Sequence, residues 1–494
     1  MKVLDSYAIE SEGITLTVDI TKEEEAFVRR YRLAFPKYGP GTQALLNRLK
    51  GEVITDIRIE AEKMLDPEFI QSLKEKFSAR AREILAKDAP TMARRTKDTL
   101  IVVLLHDMLG LGKLEFLLND ANLEEIVINS SKDPLWVYHK KFGWLETNIF
   151  VKHEEETQNY ASIIARRVGK QVTTLDPLLD AHLITGDRAN ATLFPISSRG
   201  NTLTIRRFRR KPWTVTDVLE NKTASLDVMA LLWLAAEFEL NIIISGGTAS
   251  GKTSFMNVLM PFIQPNHRVI TIEDTRELSL PESLHWVPLT TRQPNPEGKG
   301  GVSMLDLMIN SLRMRPDRII VGEMRRQREA EVLFEAMHTG HSAYTTVHAN
   351  TAQETVRRLT SPPISVPMPM LEAVHLNVVM FRNRRLGIRR ILQVAEFILG
   401  KDKIETNILY RWRGASDSIV KHADSIRLFD EISLHTGLLK EEIAKELKIK
   451  KELLVWMVKH NVRDIHDVGK LMAEYYFDPD AIVKLMKKNK KPVL

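Results

Sequence analysis

Two apolar rhythms run along the chain, and they change places near its middle. Ile14-Thr15-Leu16-Thr17-Val18 alternates apolar and polar positions, which predicts a strand buried on one face. Asp66 to Ala86 sets Phe69, Leu73, Phe77 and Ile84 on one helical face. Gly110-Leu111-Gly112 opens a segment ending in Glu124-Glu125-Ile126-Val127-Ile128-Asn129, read as a helix followed by a strand. Trp136-Val137-Tyr138 and Phe142-Gly143-Trp144 predict a hairpin around Lys140-Lys141, and turns at Gly186-Asp187 and Arg199-Gly200 separate further strands. Past Pro212-Trp213 the pattern shifts. Leu226 to Glu237 predicts a helix with Ser225 as its N-cap. Asn241 to Ser245, with three consecutive isoleucines, predicts a short buried strand. Strand, loop and helix then alternate to about residue 350, the pattern of a parallel α/β sheet. Strand-like runs follow at Leu376–Phe381, Ile391–Ile398 and Thr406–Trp412. The last stretch predicts short helices over Leu438–Leu447, Lys451–Lys459 and Val468–Tyr476, and Lys484–Lys491 reads as a frayed, solvated end.

These patterns divide the 494 residues into a mixed region (1–95), an α/β domain (96–212), a second α/β domain (213–415) and a helical region (416–494). Composition adds limits. A hydrophobic fraction of 44% with 27% charged residues suits a globular protein with several cores. The absence of cysteine excludes disulfides and Cys-based zinc sites. A net charge of +7 on so long a chain permits contact with an acidic surface or nucleic acid without demanding either. The most apolar run, Leu100 to Leu118, is broken by His106, Asp107, Lys113 and Glu115 and is too polar to span a bilayer. Met1-Lys2-Val3-Leu4-Asp5 does not resemble a signal peptide. We expect a cytoplasmic protein whose membrane contact is peripheral.

The most specific chemistry is Gly246-Gly247-Thr248-Ala249-Ser250-Gly251-Lys252-Thr253, which fits the phosphate-binding loop G-x-x-x-x-G-K-[ST]. It lies between the predicted strand Asn241–Ser245 and a helix over Thr253–Met260. Glycines let backbone N–H groups converge on phosphate oxygens, and the helix N-terminus adds partial positive charge. Lys252 can reach the β- and γ-phosphates, and the Thr253 hydroxyl can ligate Mg²⁺.

Three more segments carry candidate chemistry. Arg268 to Asp274 is an apolar strand with Glu273 and Asp274 at its C-terminal end, followed by Glu277. A carboxylate there can orient or deprotonate the water that attacks a γ-phosphate, and a capping pair on a turn is the plainer alternative. Leu312 to Glu323 is a second such strand. It ends in Gly322-Glu323, the Walker B arrangement that acts on Mg²⁺ or its waters. Met337 to Asn350 reads as a helix end, a glycine turn and a strand carrying His341 and His348. With no third metal ligand nearby, a γ-phosphate sensor is the better reading of this segment than a metal site. The basic string Leu203 to Pro212 could supply arginines to a phosphate site, and by spacing alone a solvated strand edge is the favoured reading.

Together these segments resemble the secretion and traffic ATPases, the GspE, PilT and FlaI kind, and the helical C-terminus looks closest to the archaeal members. The family's Walker A loop, Asp box, Gly-Glu Walker B and His box appear in order as Gly246–Thr253, Thr271–Glu277, Arg315–Arg325 and Thr339–Asn350. The likeness spans roughly residues 100 to 415 by motif matching. It departs from bacterial GspE in lacking a tetra-cysteine zinc module. The resemblance implies an α/β fold. A RecA-like P-loop motor domain would follow a smaller, PAS-like α/β domain that moves against it. It implies ATP and Mg²⁺ as ligands and a ring of six. On this reading Thr253 and Glu323 attend the metal, Glu273 is the general base and His341 senses the γ-phosphate. Arg206 reaches the nucleotide from the preceding domain, with Arg207, Arg276 and Arg313 as weaker candidates. A polytopic membrane platform protein is the expected partner, acidic lipid a further candidate contact, and nucleic acid is not expected.

Two rival readings remain open from sequence. RecA-like rings also drive nucleic-acid motors, and the basic clusters Arg206–Lys211 and Arg382–Arg390 suit one, as does a helix-turn-helix reading of Leu428–Val458. A scaffold that only binds nucleotide is the second, opposed by the intact set Lys252, Thr253, Glu273 and Glu323.

Overall fold

The computed structural model describes residues 2–24, 26–35, 39–56, 67–183, 186–207, 211–294, 298–401 and 403–492. It resolves into two compact units, Met1–Arg209 and Arg210–Leu494. Asp66, Phe208, Arg209 and Arg210, which entered the predictions above, lie outside the described residues.

The first unit is built on a nine-stranded sheet. Its strands are β1 (Lys2–Ser11), β2 (Ile14–Lys22), β3 (Arg30–Leu33), β4 (Leu123–Ile128), β5 (Trp136–His139), β6 (Gly143–Thr147), β7 (Leu178–His182), β8 (Arg188–Thr192) and β9 (Thr202–Arg206). The spatial order is β1-β2-β3-β6-β5-β4-β9-β8-β7, and every pairing except β3 with β6 is antiparallel. The alternation at Ile14–Val18 does what its period requires. Ile14, Leu16 and Val18 are buried while Thr15 and Thr17 are exposed. The sheet takes strands from both sides of residue 95. Between β3 and β4 the chain makes helices Pro40–Asp56, Pro67–Asp88 and Arg94–Leu109. Leu46, Leu49, Leu73, Phe77, Ile84 and Leu105 give these helices a core of their own.

Among the described residues the second unit also has nine strands. They are β10 (Ile242–Gly246), β11 (Arg268–Glu273), β12 (His285–Thr290), β13 (Arg318–Val321), β14 (Ser342–Val347), β15 (Leu376–Asn383), β16 (Ile388–Leu399), β17 (Ile404–Arg413) and β18 (Ser418–Lys421). The order is β12-β11-β13-β14-β10-β15-β16-β17-β18. The run from β12 to β15 is parallel, and β16, β17 and β18 continue it antiparallel. β10, β13 and β14 are buried along their whole length, as strands covered on both faces must be. The helix before β10, Leu226–Glu237, is capped by Ser225, whose Oγ accepts from the Val228 N–H at 3.3 Å.

The C-terminal helices are Leu428–Thr436, Lys440–Lys459, Ile465–Phe477 and Pro479–Lys487. Two predictions change here. The separate helices expected over 438–447 and 451–459 are one continuous helix of 20 residues, because no breaker interrupts Lys448-Ile449-Lys450. The tail is not frayed: Lys484–Lys487 is helical and the Trp456 indole N–H donates to Lys490 O at 3.0 Å. These helices share the core of the phosphate-loop sheet. Trp233 stacks on Phe262 at 5.1 Å and donates to Tyr476 Oη, which in turn donates to Phe262 O at 2.6 Å. Lys450 is wholly buried and ion-paired with Glu237 at 2.8 Å and Glu446 at 2.9 Å, with Trp233 and Tyr475 rings beneath its ammonium. Those two carboxylates hold its pKa above the ordinary lysine value despite burial.

Candidate nucleotide site

Parallel pairing puts the C-terminal ends of β10, β11, β13 and β14 at one edge of the second sheet, where α/β folds bind ligands. Each candidate segment ends there. β10 runs into the loop Gly246–Thr253, and the helix Lys252–Leu259 leaves it. The loop needs its glycines. Gly246 has φ 155°, and a Cβ there would lie 2.6 Å from Met380 O. A Cβ on Gly247 would lie 2.9 Å from Asn350 Oδ1, which places Asn350 against the loop. Gly251 has φ 94°, a left-handed conformation open to glycine at little cost.

Lys252 is largely buried. Its Nζ donates to Gly246 O at 3.1 Å and Gly247 O at 3.2 Å, and stands 3.4 Å from His348 Nδ1. Desolvation lowers its pKa below the usual lysine value, with Glu323 and Glu277 opposing. His348 Nε2 lies 3.0 Å from Glu323 Oε1. One tautomer serves both contacts: neutral imidazole, with Nδ1 accepting from the ammonium and Nε2–H donating to the carboxylate. Desolvation, then the Lys252 charge, lowers the His348 pKa and keeps that neutral form at pH 7. Glu323 Oε2 accepts from Arg325 at 2.7 Å, and Arg325 also bonds Asp274 at 2.9 Å. A polar chain thus runs Lys252–His348–Glu323–Arg325–Asp274 across three strand ends.

Glu273 sits deeper. Its Oε1 accepts from the Glu277 and Leu278 N–H groups at 2.9 and 3.0 Å, while Oε2 is buried without a partner. Burial pushes the carboxyl up to about 7, against those two bonds. Gly322 packs on it: a Cβ there would lie 3.3 Å from Glu273 Cγ. The next turn is fixed by Glu329, whose Oε2 accepts from the Arg325 and Arg326 N–H groups at the head of helix Gln327–His338.

The structure separates the two histidines. His341 precedes β14, and β14 starts beside Arg318, the first residue of β13. Its Nδ1 faces Ala336 O and Thr339 Oγ1 at 3.3 Å each. Seven residues at about 3.3 Å each set it roughly 20 Å from His348, at the opposite edge of the sheet. Within this chain His341 therefore stands away from the phosphate loop, and His348 stands beside it. The signal was in the sequence: in a parallel strand the residue after the last apolar position faces the ligand. Among the weaker candidates, Arg313 lies in the turn that precedes β13, at the same far edge. Arg276 lies within the Asp box, with its guanidinium 4.6 Å over the Trp286 ring.

Arg206 belongs to the first unit. It ends β9 between Glu125 of β4 and Arg188 of β8, with its side chain exposed. Arg207 turns inward and donates to Asp120 O and Leu123 O. Arg206 is exposed and Arg207 half-buried.

Residues 187–426 match the family described as Type II/IV secretion system protein. The Type IV secretion system protein PtlH of Bordetella pertussis is 30% identical over 302 residues, 55% of this chain and 88% of PtlH. The chain belongs to the type II/IV secretion system protein family. MJ0900 of Methanocaldococcus jannaschii is 34% identical over 391 residues, 77% of this chain and 70% of that one. The solved VirB11 ATPase of the Brucella suis type IV secretion system shares 24% identity over 56% of this chain and 90% of its own, with a TM-score of 0.30. No described helix is long and apolar enough to cross a membrane.

Proposed function

We propose that the chain hydrolyses ATP to ADP and phosphate and converts nucleotide-driven domain closure into work on a membrane-bound secretion or pilus-type apparatus. The observation that carries the reading is the convergence of Lys252, His348, Glu323 and Glu273 on the phosphate-loop edge of one parallel sheet.

Lys252 now spends its donors on two loop carbonyls. Anionic β- and γ-phosphate oxygens are stronger acceptors, so the ammonium turns to them when ATP enters. That movement withdraws the donor from His348 Nδ1, and His348 passes the change to Glu323 through Nε2. Glu273 serves as general base. Its unpartnered Oε2 and its pKa near 7 let it take a proton from water at neutral pH. Mg²⁺, bound with the nucleotide, neutralises charge developing on the phosphates. Thr253 and Glu323 would hold it. Among the described residues no group of three acidic or histidine side chains forms a cage, and Mg²⁺ characteristically takes one or two protein ligands beside phosphate and water. Arg206, exposed at the end of β9, acts as the arginine that completes the site on closure. In a homohexamer that closure can span two subunits.

The working location is the cytoplasmic face of the membrane, peripherally attached, with a polytopic platform protein as partner and acidic lipid as a contact. The test is phosphate release by the full chain with MgATP, repeated with vesicles of acidic phospholipid and with single- and double-stranded DNA or RNA. Turnover raised by vesicles and not by nucleic acid supports the secretion reading. Stimulation by nucleic acid with a steep salt dependence would transfer the assignment to a nucleic-acid motor.

A further inference from the structure

The basic run Arg382–Arg390, which kept a nucleic-acid motor open from sequence, has a different place in the fold. It forms the hairpin between β15 and β16. β15 is parallel to β10 and β16 is antiparallel to β15, so the hairpin stands at the phosphate-loop edge. Arg389 pairs with Arg382 across it and lays its side chain on the loop. Its Nε donates to Ala249 O at 3.3 Å, and its Cδ lies 3.3 Å from where a Cβ on Gly251 would stand. The neighbouring Arg390 is committed elsewhere, bonding Asp417 at 2.7 and 2.8 Å and Asn221 O at 2.9 Å. Arg389 is thus the cation of this hairpin that the structure brings into contact with the loop backbone.

Strand order says which end of a nucleotide meets it. β14, β13 and β11, with His348, Glu323 and Glu273 at their ends, lie on one side of β10, and β15 and β16 lie on the other. Lys252 faces the first side through His348. A triphosphate whose γ end lies among Lys252, His348 and Glu323 must direct its α-phosphate and nucleoside toward β15 and β16. Guanidinium has five N–H donors in a planar fork suited to phosphate oxygens, and Ala249 O accepts from one of them.

We propose that Arg389 binds the α-phosphate of a nucleoside di- or triphosphate, and therefore holds ADP and ATP equally. The proposal rests on the nucleotide site argued above and assigns its second end. Affinities of the full chain for ADP and for a non-hydrolysable ATP analogue should be measured by calorimetry with Mg²⁺, for wild type and for Arg389→Ala, Arg389→Lys and Arg389→Gln. The alanine variant should weaken both ligands by the same factor, about tenfold or more, as expected for a hydrogen bond to a charged group. Lysine, which keeps the cation, should recover part of the loss. Glutamine, which keeps an N–H donor for Ala249 O without the charge, should not. Recovery by glutamine would make Arg389 a brace of the loop and overturn the proposal. So would unchanged affinity in the alanine variant, or a loss confined to the ATP analogue. Failure of the wild-type chain to bind either nucleotide removes the site itself, a result distinct from all of these.

Discussion

Both units carry nine strands, yet candidate chemistry gathers at one edge of only the second sheet. The reason is strand direction. In the first sheet nearly every neighbour is antiparallel, so successive strand ends alternate between edges and side chains distant in sequence are not collected. In the second, parallel pairing delivers Gly246, Glu273, Glu323 and His348 to a single edge although they span a hundred residues of chain. From the first unit the candidate is Arg206, exposed at the end of β9, whose neighbour Arg207 bonds backbone carbonyls of its own unit. The proposed reaction therefore rests on the second sheet, with Arg206 as the proposed contribution of the first.

The largest effect should come from that one side chain. Arg206→Ala should bind ATP nearly normally and hydrolyse it about 10³–10⁵-fold more slowly, the range for an arginine that meets the γ-phosphate. Arg207→Ala should instead lower thermal stability. Equal activity losses in the two variants would break the distinction drawn between them. If the closed site spans two subunits, activity per chain should fall on dilution through the ring-to-monomer transition, followed by light scattering.

Within the second sheet, Glu273→Gln should still bind MgATP and lose about 10²–10⁴ in rate. Its burial-raised pKa sets the sign of the pH dependence. The carboxyl holds its proton below about pH 7 and is a base above it, so wild-type kcat/KM should rise as pH increases through about 7. An unshifted rise in Glu273→Gln would assign that titration to another group. Full activity in Glu273→Gln with a dead Glu277→Gln would move the base to the neighbouring carboxylate.

The two histidines give a sharper internal contrast. His348→Ala breaks a link between charged groups and should slow turnover roughly tenfold or more, while His341→Ala, at the far edge, should leave it almost unchanged. The reverse result would mean that β14 runs against the direction described.

The smallest effect is on stability. A Cβ on Gly469 would lie 2.2 Å from Pro281 Cβ, where the C-terminal helix Ile465–Phe477 meets the segment after the Asp box. Gly469→Ala should cost about 1–3 kcal/mol by overpacking, read as a lowered melting temperature.

Much of this was legible in the sequence. The isoleucines of β10, the glycines of the loop and the carboxylates at the ends of β11 and β13 carry local signals of strand, turn and ligand edge. What escaped depends on distance. His341 and His348 look alike by composition, and only the polarity of β14 within the sheet separates them. Arg389 is one of several arginines in a basic run, and nothing local distinguishes it from Arg390 until Asp417 and Ala249 are brought beside them. The long helix Lys440–Lys459 was read as two, and the sequence does not show where Lys450 goes. Lys450 is a buried cation between Glu237 and Glu446.

The most direct test is steady-state phosphate release from MgATP by the full chain, wild type beside Lys252→Ala. Lys252 is where the polar chain from Asp274 ends on the phosphate loop, and an ammonium there offsets charge on the β- and γ-phosphates. We expect turnover from the wild-type chain and release at background from the variant, with weakened ATP binding. Undiminished release by Lys252→Ala, or none from wild type under any of the conditions above, would contradict the assignment of the second sheet's edge as an ATP-hydrolysing site.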